Sequence, residues 1–453
     1  MADDSATLEP AHARTFTVRQ AAFIGVGSMV GAGIFSLLGA AGEIAGPAVW
    51  LSFVVAGAIA LLQGYSFAKL GAVYPSAAGM LEYVRRGFGV GRVSAGTAWL
   101  VYWANAIVTA MVAVSFGSYA SSMFTDEDST WTKVFAVLVV VVMTGLNISG
   151  SKMVANIQSV IVFVVVGILS AFAVVTMLNM DPSLLSPSGY PGVRDIVSSV
   201  ALTFFAFLGF GVITFTAKDL PDPKRQLPKA MYLALGIAIT VYVGISIGVF
   251  GTLTVDEVIA SGPTAIAVAA EPTLGEVGFW LMSVTALFAT SGATNAGLYP
   301  ASGLCDELAR SKEFPPFMGG RLFKRAPAGL IVASAVIIVL VAGFDLSSIA
   351  SIGSAVALTI FAFVTGAHLR VFKETGAQPL VLIVGLLAIV ITLLTFVFTT
   401  LIEEPATMVT LLAVLALSIG LDLWWSWTRD KDEGQHSPPT ARPLDSTEAQ
   451  DAA

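Results

Sequence analysis

Long apolar stretches that recur along almost the whole chain constrain its fold more than any other feature. A helix that crosses a bilayer needs about 20 predominantly apolar residues, and twelve such stretches follow one another in the 453 residues. They lie at about 19–45, 48–72, 93–121, 132–150, 153–179, 195–217, 230–253, 277–300, 328–343, 348–369, 379–401 and 407–427. Charged residues make up only 12% of the chain, about half their share in soluble proteins. The sequence therefore predicts an all-α integral membrane protein with twelve transmembrane helices.

Basic residues are concentrated in alternate loops and give the chain an orientation. They precede the first predicted span and follow the even-numbered ones, whereas the opposite loops contain Lys133 and Arg194 beside mainly acidic residues. Because lysine and arginine accumulate on the cytoplasmic side, both termini are predicted to be cytoplasmic, in a multi-pass protein of the plasma (cytoplasmic) membrane. The polar ends, 1–15 and 429–453, are predicted to be disordered tails of a transmembrane domain at 16–428.

Several classes of function are disfavoured by the sequence. Cys305 is the only cysteine, which excludes an internal disulfide. The three histidines, His12, His368 and His436, are far apart in sequence and indicate no metal site. The sequence has no P-loop and no hydrophilic stretch large enough for a nucleotide-binding domain, which disfavours transport driven by its own ATP hydrolysis. The spans also lack a Ser-His-Asp cluster, so we predict no enzymatic activity, no resident cofactor and no nucleic-acid partner.

The first span contains the stretch GVGSMVGAGIF, in which Gly25, Gly27, Gly31 and Gly33 fall within nine positions. Each glycine weakens a helix relative to alanine. Irregular backbone is tolerated inside a membrane where protein or a water-filled cavity satisfies its polar groups, so we predict that span 1 unwinds near Gly31–Gly33. The outer half-helix would then present free N–H groups and a positive dipole end, which suit a carboxylate. The alternative is that Gly27-x-x-x-Gly31 is a packing face against a neighbouring helix.

Span 6 contains a second interruption, in FFAFLGFGVITF at 204–215. Gly209 and Gly211 lie in the middle of this span among phenylalanines. Interrupted segments at corresponding positions of two halves point to the binding site of a transporter. Spans 1 and 6 open successive blocks of five spans, which predicts inverted repeats at about 19–179 and 195–369, followed by two extra helices within 379–427.

Four motifs make the chain similar to the amino acid–polyamine–organocation (APC) superfamily of amino acid permeases. GSMVGAGIF at 27–35 resembles the superfamily's span 1, and YPSAAGMLEYVRRGFG at 74–89 resembles its cytoplasmic stretch after span 2. FFAFLGFG with the following AKDLPDPKRQLPKA at 217–230 resembles span 6 and its loop, and 290–317 resembles span 8. The resemblance implies a LeuT-type fold, that is, a 5+5 inverted repeat whose helices 1 and 6 are unwound at mid-membrane. It does not identify a substrate.

The resemblance also implies a substrate site at the two interruptions. Backbone N–H groups of span 1 would hold a carboxylate, and carbonyls of spans 1 and 6 would accept hydrogen bonds from an amino group. Phe205 occupies the position of an aromatic lid, and Asn105 of span 3 either faces the pocket or makes an interhelical hydrogen bond. The predicted substrate-binding residues are Met29, Val30, Gly31, Ala32, Gly33, Ile34, Phe204, Phe205, Ala206, Phe207, Gly209 and Asn105.

The sequence leaves the coupling ion open. Sodium-coupled proteins of this fold bind Na⁺ through span 1 carbonyls and two span 8 hydroxyls, which correspond here to Gly27, Val30, Thr290 and Ser291. The alternative is that both hydroxyls bond back to their own helix. Asn156 occupies the position where some proton-coupled relatives carry a lysine. Sodium coupling, proton coupling through another group and uncoupled exchange therefore all stay in consideration.

The predicted function is secondary active transport of amino acids by alternating access, as an ion-coupled symporter. Gly211 stands where many relatives carry an acidic residue, and an uncharged pocket lined by phenylalanine favours small or apolar neutral substrates. An exchanger and a non-transporting nutrient sensor are the alternatives, whereas a channel is disfavoured because two half-helices suit alternating access. The expected partners are the amino acid and the lipid bilayer.

Overall fold

The fold is built almost entirely from helices, as the sequence predicts. The computed structural model describes residues 17–76, 79–89, 91–125, 128–149, 152–310, 313–322, 326–401 and part of 408–427. The predictions for the two terminal tails, for the side chain of Asn156 and for parts of the twelfth span lie outside the described residues.

The helices have the following bounds. The first part of the chain forms α1 (Val18–Ala32), α2 (Ile34–Ala45), α3 (Val49–Val73), α4 (Met80–Phe88), α5 (Arg92–Phe124), α6 (Ser129–Ser149) and α7 (Lys152–Asn179). The second part forms α8 (Val193–Phe205), α9 (Pro223–Phe250), α10 (Val255–Ser261), α11 (Ala265–Val268), α12 (Glu271–Arg310), α13 (Ala328–Gly343), α14 (Leu346–Thr375) and α15 (Pro379–Phe396). A 3₁₀ helix, Leu208–Asp219, lies between α8 and α9. A small antiparallel pair of strands, β1 (Arg321–Leu322) and β2 (Ala326–Pro327), precedes α13.

Helix length and composition are those of an integral membrane protein. Within the described part of the chain, nine helical stretches are long and apolar enough to cross a membrane, and Ala328–Gly343 is a shorter apolar helix. The first of the nine, Ile34–Val73, combines α2 and α3. Each of the first eleven predicted spans overlaps a described helix or an interrupted pair of helices.

Local signals in the sequence determine where helices α1 and α9 begin. The Thr17 hydroxyl accepts the Gln20 N–H at 3.3 Å, and the Gln20 side chain accepts the Thr17 N–H at 2.9 Å, a reciprocal cap before α1. Asp222 caps α9 by accepting the Arg225 N–H, and Pro223 occupies the first helical position, where its missing N–H removes no bond.

The helices pack so that both interruptions lie in the interior. On one side, α3 packs along α9, and α1 packs against α9 and the 3₁₀ helix. On the other side, α5 packs against α6 and α12, and α13 covers α5 and α6. Helix α14 contacts α3, α4, α5 and α8. As a result Met29, Ile34, Phe204 and Phe207, which flank the interruptions, are all fully buried.

Candidate functional site

The chain leaves helical geometry at Gly33, within the stretch predicted to unwind. Its backbone angles are φ −100° and ψ −82°, and they separate α1 from α2. The Gly33 N–H donates to the Met29 carbonyl at 2.7 Å, and the Gly33 carbonyl accepts from the amides of Ser36 and Leu37. The amides that begin α2, those of Ile34 and its neighbour, have no intrahelical acceptor because of their position. Of the N–H groups predicted to bind a carboxylate, that of Gly33 therefore donates to the backbone, whereas that of Ile34 lies at the N-terminus of α2.

The second interruption lies between α8 and the 3₁₀ helix, at Ala206 and Phe207. Here the Phe207 N–H donates to the Phe204 carbonyl at 2.9 Å, in a tight turn instead of an α-helical bond. The carbonyl of Ala206 accepts a hydrogen bond from the hydroxyl of Tyr242, on α9, at 3.2 Å. The sequence predicts an interruption here, but it does not predict that the chain continues as a 3₁₀ helix for twelve residues.

The two interruptions lie directly against each other. A Cβ atom added at Gly33 would lie 2.7 Å from the Ala206 carbonyl oxygen and 2.7 Å from the Tyr242 hydroxyl. A Cβ atom added at Gly209 would lie 2.6 Å from the carbonyl carbon of Ser28 and 2.9 Å from the Met29 Cα. All four distances are too short for a side chain at either position, so these two glycines allow the two backbone segments to touch.

The remaining glycines of span 1 serve helix packing, which was the alternative interpretation of this stretch. Added Cβ atoms at Gly25 and Gly27 would meet Ile213 of the 3₁₀ helix and Val162 of α7, and one at Gly31 would meet Ala289 and Ala293 of α12. Packing and interruption therefore coexist in one segment, with Gly33 at the break and the other three glycines at contacts with neighbouring helices.

Phe204, Phe205, Phe207 and Phe210 of span 6 are buried, and the first three contact different helices. The ring of Phe205 reaches α14, where it would lie 2.8 Å from a Cβ added at Gly353. Phe204 packs edge-on against Phe361, also on α14, at 5.5 Å between ring centroids. Phe207 packs against Tyr242 at 5.0 Å. Phe207 and Tyr242 thus lie together beside the Ala206 carbonyl, while Phe204 and Phe205 face α14.

Asn105 makes an interhelical hydrogen bond. Its side-chain amide donates to the Gly297 carbonyl of α12 at 2.8 Å, which ties α5 to α12. This interhelical hydrogen bond is the predicted alternative to a role of Asn105 in the substrate pocket.

The four predicted sodium ligands are only partly brought together. Gly27 and Val30 line a small cavity, of ≈ 10 Å³, that is otherwise bounded by Gly31, by Phe288 and Ala289 of α12, and by four apolar residues of α7. Thr290 is buried and donates to the Ala286 carbonyl at 2.7 Å, and Ser291 donates to the Phe288 carbonyl at 3.0 Å. Both hydroxyls therefore bond back to their own helix, and neither lines the cavity in the described part of the chain.

The acidic side chains nearest to these segments lie at their ends. Glu43, near the end of α2, is exposed. Glu82 of α4 pairs with Arg86 at 2.7 Å, and Asp219 is half-buried at the end of the 3₁₀ helix. Gly31, Gly33, Ile34 and the 204–207 stretch contribute no charged side chain, so the electrostatics of the interruptions are those of backbone dipoles.

Two tertiary contacts fasten α2 and α4 to later parts of the chain. Gly39 of α2 lies against the backbone of Gly262, between α10 and α11, where an added Cβ would come within 2.8 Å of the Gly262 carbonyl carbon. Helix α4 is fastened to the loop after α12 by the Arg85 guanidinium, which donates to both carboxylate oxygens of Glu313 at 3.1 and 2.8 Å.

A further group of polar contacts lies at the ends of α3 and α14, beside α4. Tyr74, just after α3, donates to the carboxylate of Glu374, and the guanidinium of Arg86 lies 5.1 Å from the Tyr74 ring centroid. Partial burial and then the interaction with Glu374 raise the pKa of Tyr74 to about 12.

Tyr242 is the residue of this site that the sequence does not reveal. It lies 36 positions after Ala206, its acceptor, in an apolar helix where no spacing or neighbouring motif distinguishes it. Gly353 is similar, because its contact with Phe205 depends on how α14 packs. Such partners are set by tertiary packing, and no local signal in the sequence could have found them.

A helical, multi-pass membrane protein with two interrupted helices in contact is a protein of the transporter class. The comparison with known families agrees: residues 16–421 match the amino acid permease family. The chain therefore belongs to that family, within the APC superfamily. It is a transporter and not an enzyme, and its family implies a small-molecule substrate, an amino acid.

Individual relatives are similar over most of their length. The chain is 30% identical over 398 residues to the Inner membrane transport protein YbaT of Escherichia coli, which covers 87% of this chain and 93% of that protein. It is 32% identical over 372 residues to an uncharacterized protein of Methanocaldococcus jannaschii, with 82% and 86% of the two chains covered. A relative in Arabidopsis thaliana, Cationic amino acid transporter 2, vacuolar, is 29% identical over 389 residues, which are 77% of this chain and 59% of that protein.

Proposed function

We propose that this chain is a secondary active transporter that moves small or apolar neutral amino acids across the cytoplasmic membrane by alternating access, as an ion-coupled symporter. The observation that carries the proposal is the contact between the two interruptions, where Gly33 meets the carbonyl of Ala206. It juxtaposes the N-terminus of α2, which suits a carboxylate, and backbone carbonyls, which suit an amino group. An α-amino acid carries both groups one carbon apart.

Burial of the site supports alternating access instead of a continuous pore. Met29, Ile34 and Phe207 are fully buried, and the contacts Gly39–Gly262 and Arg85–Glu313 fasten α2 and α4 to neighbouring segments. A solute can reach Gly33 only if packed elements around it separate. Separate opening of two coverings around a fixed site is the mechanism that transporters with repeated halves use.

Pairwise packing supports the LeuT-type arrangement with 5+5 inverted repeats. Each repeat would begin with an interrupted helix, α1–α2 in the first and α8 with the 3₁₀ helix in the second. Predicted spans that occupy equivalent places also pack together: α1 with the 3₁₀ helix, α3 with α9, and α5 with α12. A two-fold axis between repeats brings equivalent elements into contact in this way. We propose cytoplasmic termini from the distribution of basic residues.

A neutral substrate is proposed because charged partners are lacking near the interruptions. The described residues of the site offer backbone groups, phenylalanine rings and the hydroxyl of Tyr242, but no acidic side chain for a cationic substrate. The name of the Arabidopsis relative specifies cationic amino acids for that protein. A neutral and a cationic substrate therefore predict different uptake, and uptake measured with both classes of amino acid distinguishes them.

The test is uptake of labelled amino acids into proteoliposomes, with a sodium gradient, with an inward proton gradient and with neither. We expect flux of neutral amino acids that requires one of the gradients, and loss of this flux in Gly33→Ala but not in Gly236→Ala, whose added methyl group would meet no atom within 4 Å. Preferential uptake of arginine or glutamate would overturn the neutral substrate. Flux only into preloaded liposomes would identify an exchanger. Ligand binding, measured as a thermal shift, without flux under any condition would identify a sensor.

The same measurement separates the two coupling ions. Sodium dependence that disappears in Thr290→Val would support the hydroxyls of α12 as ligands, after rotation away from their present carbonyl acceptors. Flux under the proton gradient alone would discard the sodium site at Gly27 and Val30.

A further inference from the structure

A histidine is buried between α3 and α14, away from the two interruptions. Of the His, Asp, Glu, Lys and Arg side chains that the structure describes, two are buried: Glu313, in the loop after α12, and His368, which is 0% exposed within α14. An ionisable group inside a membrane-spanning helix is costly and points to a function by default. His368 contributes nothing to the proposed substrate site, so it requires a separate explanation.

Both ring nitrogens of His368 are hydrogen-bonded, and the partners determine its tautomer. Nδ1 lies 2.8 Å from the Ser66 hydroxyl of α3, and Nε2 lies 2.8 Å from the Thr375 hydroxyl of α14. Because Thr375 donates its own proton to the Phe372 carbonyl, its oxygen accepts from Nε2–H. Nδ1 then carries a lone pair, which accepts from Ser66. The hydrogen bonds thus define a neutral imidazole with its proton on Nε2.

His368 belongs to a row of polar contacts that fastens α3 to the end of α14. In the other contacts of this row, Thr365 donates to the Gln63 side chain at 2.6 Å, Lys69 to the Gly376 carbonyl at 3.3 Å, and Tyr74 to Glu374. Helix α3 also packs against α8 and α9, and α14 also packs against α4, α5 and α8. The row therefore fastens α14 to α3 at several positions, from Gln63 to Tyr74 on one side and from Thr365 to Gly376 on the other.

The same histidine also bridges a kink within α14. The backbone departs from helical geometry at Val371, with φ −114° and ψ 16°. His368 lies before this kink and Thr375 after it, so their hydrogen bond holds the two parts of the helix together. Loss of this bond would affect both the kink and the contact with α3.

Protonated His368 would have no counter-ion in this conformation. The charged and titratable groups on the elements that pack against α14 are Tyr65, Lys69 and Tyr74 of α3 and its end, Glu82, Tyr83, Arg85 and Arg86 of α4, Arg92, Tyr102 and Tyr119 of α5, Glu43 of α2, and Arg194 and Asp195 in the first turn of α8. Helix α14 itself carries Arg370, Lys373 and Glu374, and α15 carries none between 379 and 396. Glu374 is engaged by Tyr74 and Glu82 by Arg86, and the described partners of His368 are the hydroxyls of Ser66 and Thr375. A second ring proton would also point at the Ser66 hydroxyl, which would have to turn away.

We propose that His368 is a proton-binding site that holds α3 against α14 while it is neutral and releases the pair when it is protonated. An imidazolium is stable only where water or a counter-ion reaches it, so the proton binds more tightly to a conformation in which this interface is hydrated. By linkage, lowering the pH shifts the protein towards that conformation. One linked proton changes the ratio of the two conformations by at most about tenfold per pH unit. The inference concerns helix pairing alone and does not depend on the substrate.

The protonation state is measured directly by nuclear magnetic resonance of ¹⁵N-labelled imidazole. The double variant His12→Gln/His436→Gln leaves His368 as the only histidine of the chain, and the wild type provides the two other residues as internal references. We expect His368 to show the neutral Nε2–H tautomer at neutral pH and to titrate separately from the references. A charged ring at neutral pH, or titration together with His12 and His436, would overturn the proposal.

The conformational consequence is measured by hydrogen exchange of the full-length protein in nanodiscs without any amino acid. After correction for intrinsic rates, we expect amides near 374–378 to lose protection as the pH falls, by up to about tenfold per pH unit. His368→Gln, which supplies a donor and an acceptor but cannot be protonated, should remove this pH dependence. Thr365→Val, on the same interface, should keep it. Equal pH profiles in the wild type and His368→Gln would refute the proposal, and so would a loss of pH dependence in Thr365→Val.

Discussion

Gly33→Ala tests whether the contact between the two interruptions depends on a missing side chain. The new methyl carbon would lie 2.7 Å from the Ala206 carbonyl oxygen, 2.7 Å from the Tyr242 hydroxyl and 2.8 Å from the Ala206 Cβ. Ordinary contacts of this kind begin near 3.4 Å, so the two chain segments must separate by roughly 0.7 Å, at a cost of about 1–3 kcal/mol for overpacking. Weakening the Tyr242–Ala206 hydrogen bond adds about 1 kcal/mol.

The expected total is therefore a loss of about 2–4 kcal/mol in the free energy of unfolding, measured by denaturant titration in mixed micelles. Gly236→Ala is the matched control, since its methyl group would meet no atom within 4 Å and it lies on α9 with Tyr242. This control should be neutral or gain up to about 1 kcal/mol from helix propensity.

A double-mutant cycle locates the clash. Tyr242→Phe alone leaves the buried Ala206 carbonyl without its donor and should cost about 1–3 kcal/mol. In Gly33→Ala/Tyr242→Phe the clash with the hydroxyl is gone, so the pair should cost about 1 kcal/mol less than the sum of the single variants. The reasoning fails if the two losses simply add, or if Gly33→Ala is as stable as Gly236→Ala.

Three further predictions concern other contacts of the fold. Glu313→Gln removes the carboxylate that the largely buried guanidinium of Arg85 contacts and should cost up to about 3–5 kcal/mol; an unchanged thermal midpoint would contradict this. Tyr74 has a pKa raised to about 12 in the folded protein, above its ordinary value, so its contribution to stability is complete below pH 10 and lost between about pH 10 and 12. Midpoints measured from pH 8 to 12 should show this loss in the wild type and not in Tyr74→Phe, and parallel curves would disprove it. Asn105→Ala removes an interhelical hydrogen bond and should lower stability by about 1–3 kcal/mol without changing the substrate concentration for half-maximal uptake; a severalfold rise in that concentration would instead place Asn105 in the pocket.

The helices and the position of both interruptions could be predicted from the sequence because their signals are local. Apolar length determines a span, and the glycines near 25–33 and 209–211 mark where a helix is weakest. The sequence does not predict the short helix α4, since nine residues that include Glu82, Arg85 and Arg86 give little apolar signal.

The contacts of the candidate site could not be predicted in the same way. The resemblance predicts Phe205 as a lid over the substrate, but it does not predict that the ring contacts Gly353, almost 150 positions later in the chain. Two aromatic residues in one span look alike in sequence, whatever helix they face. The buried role of His368 was equally invisible, because it depends on Ser66, 302 positions away.

The hydrogen bond from Tyr242 to Ala206 has a consequence for ligand affinity. The protein supplies its own donor to this carbonyl, so an amino group that binds in place of the hydroxyl exchanges one donor for another. A charge-assisted bond contributes about 1.5–3 kcal/mol and a neutral one about 0.5–1.5 kcal/mol, which leaves a net gain of only about 1 kcal/mol. Such an exchange favours weak binding and rapid release, and the departing ligand leaves no unpaired carbonyl behind it. A carrier that has to discharge its cargo in every cycle benefits from both.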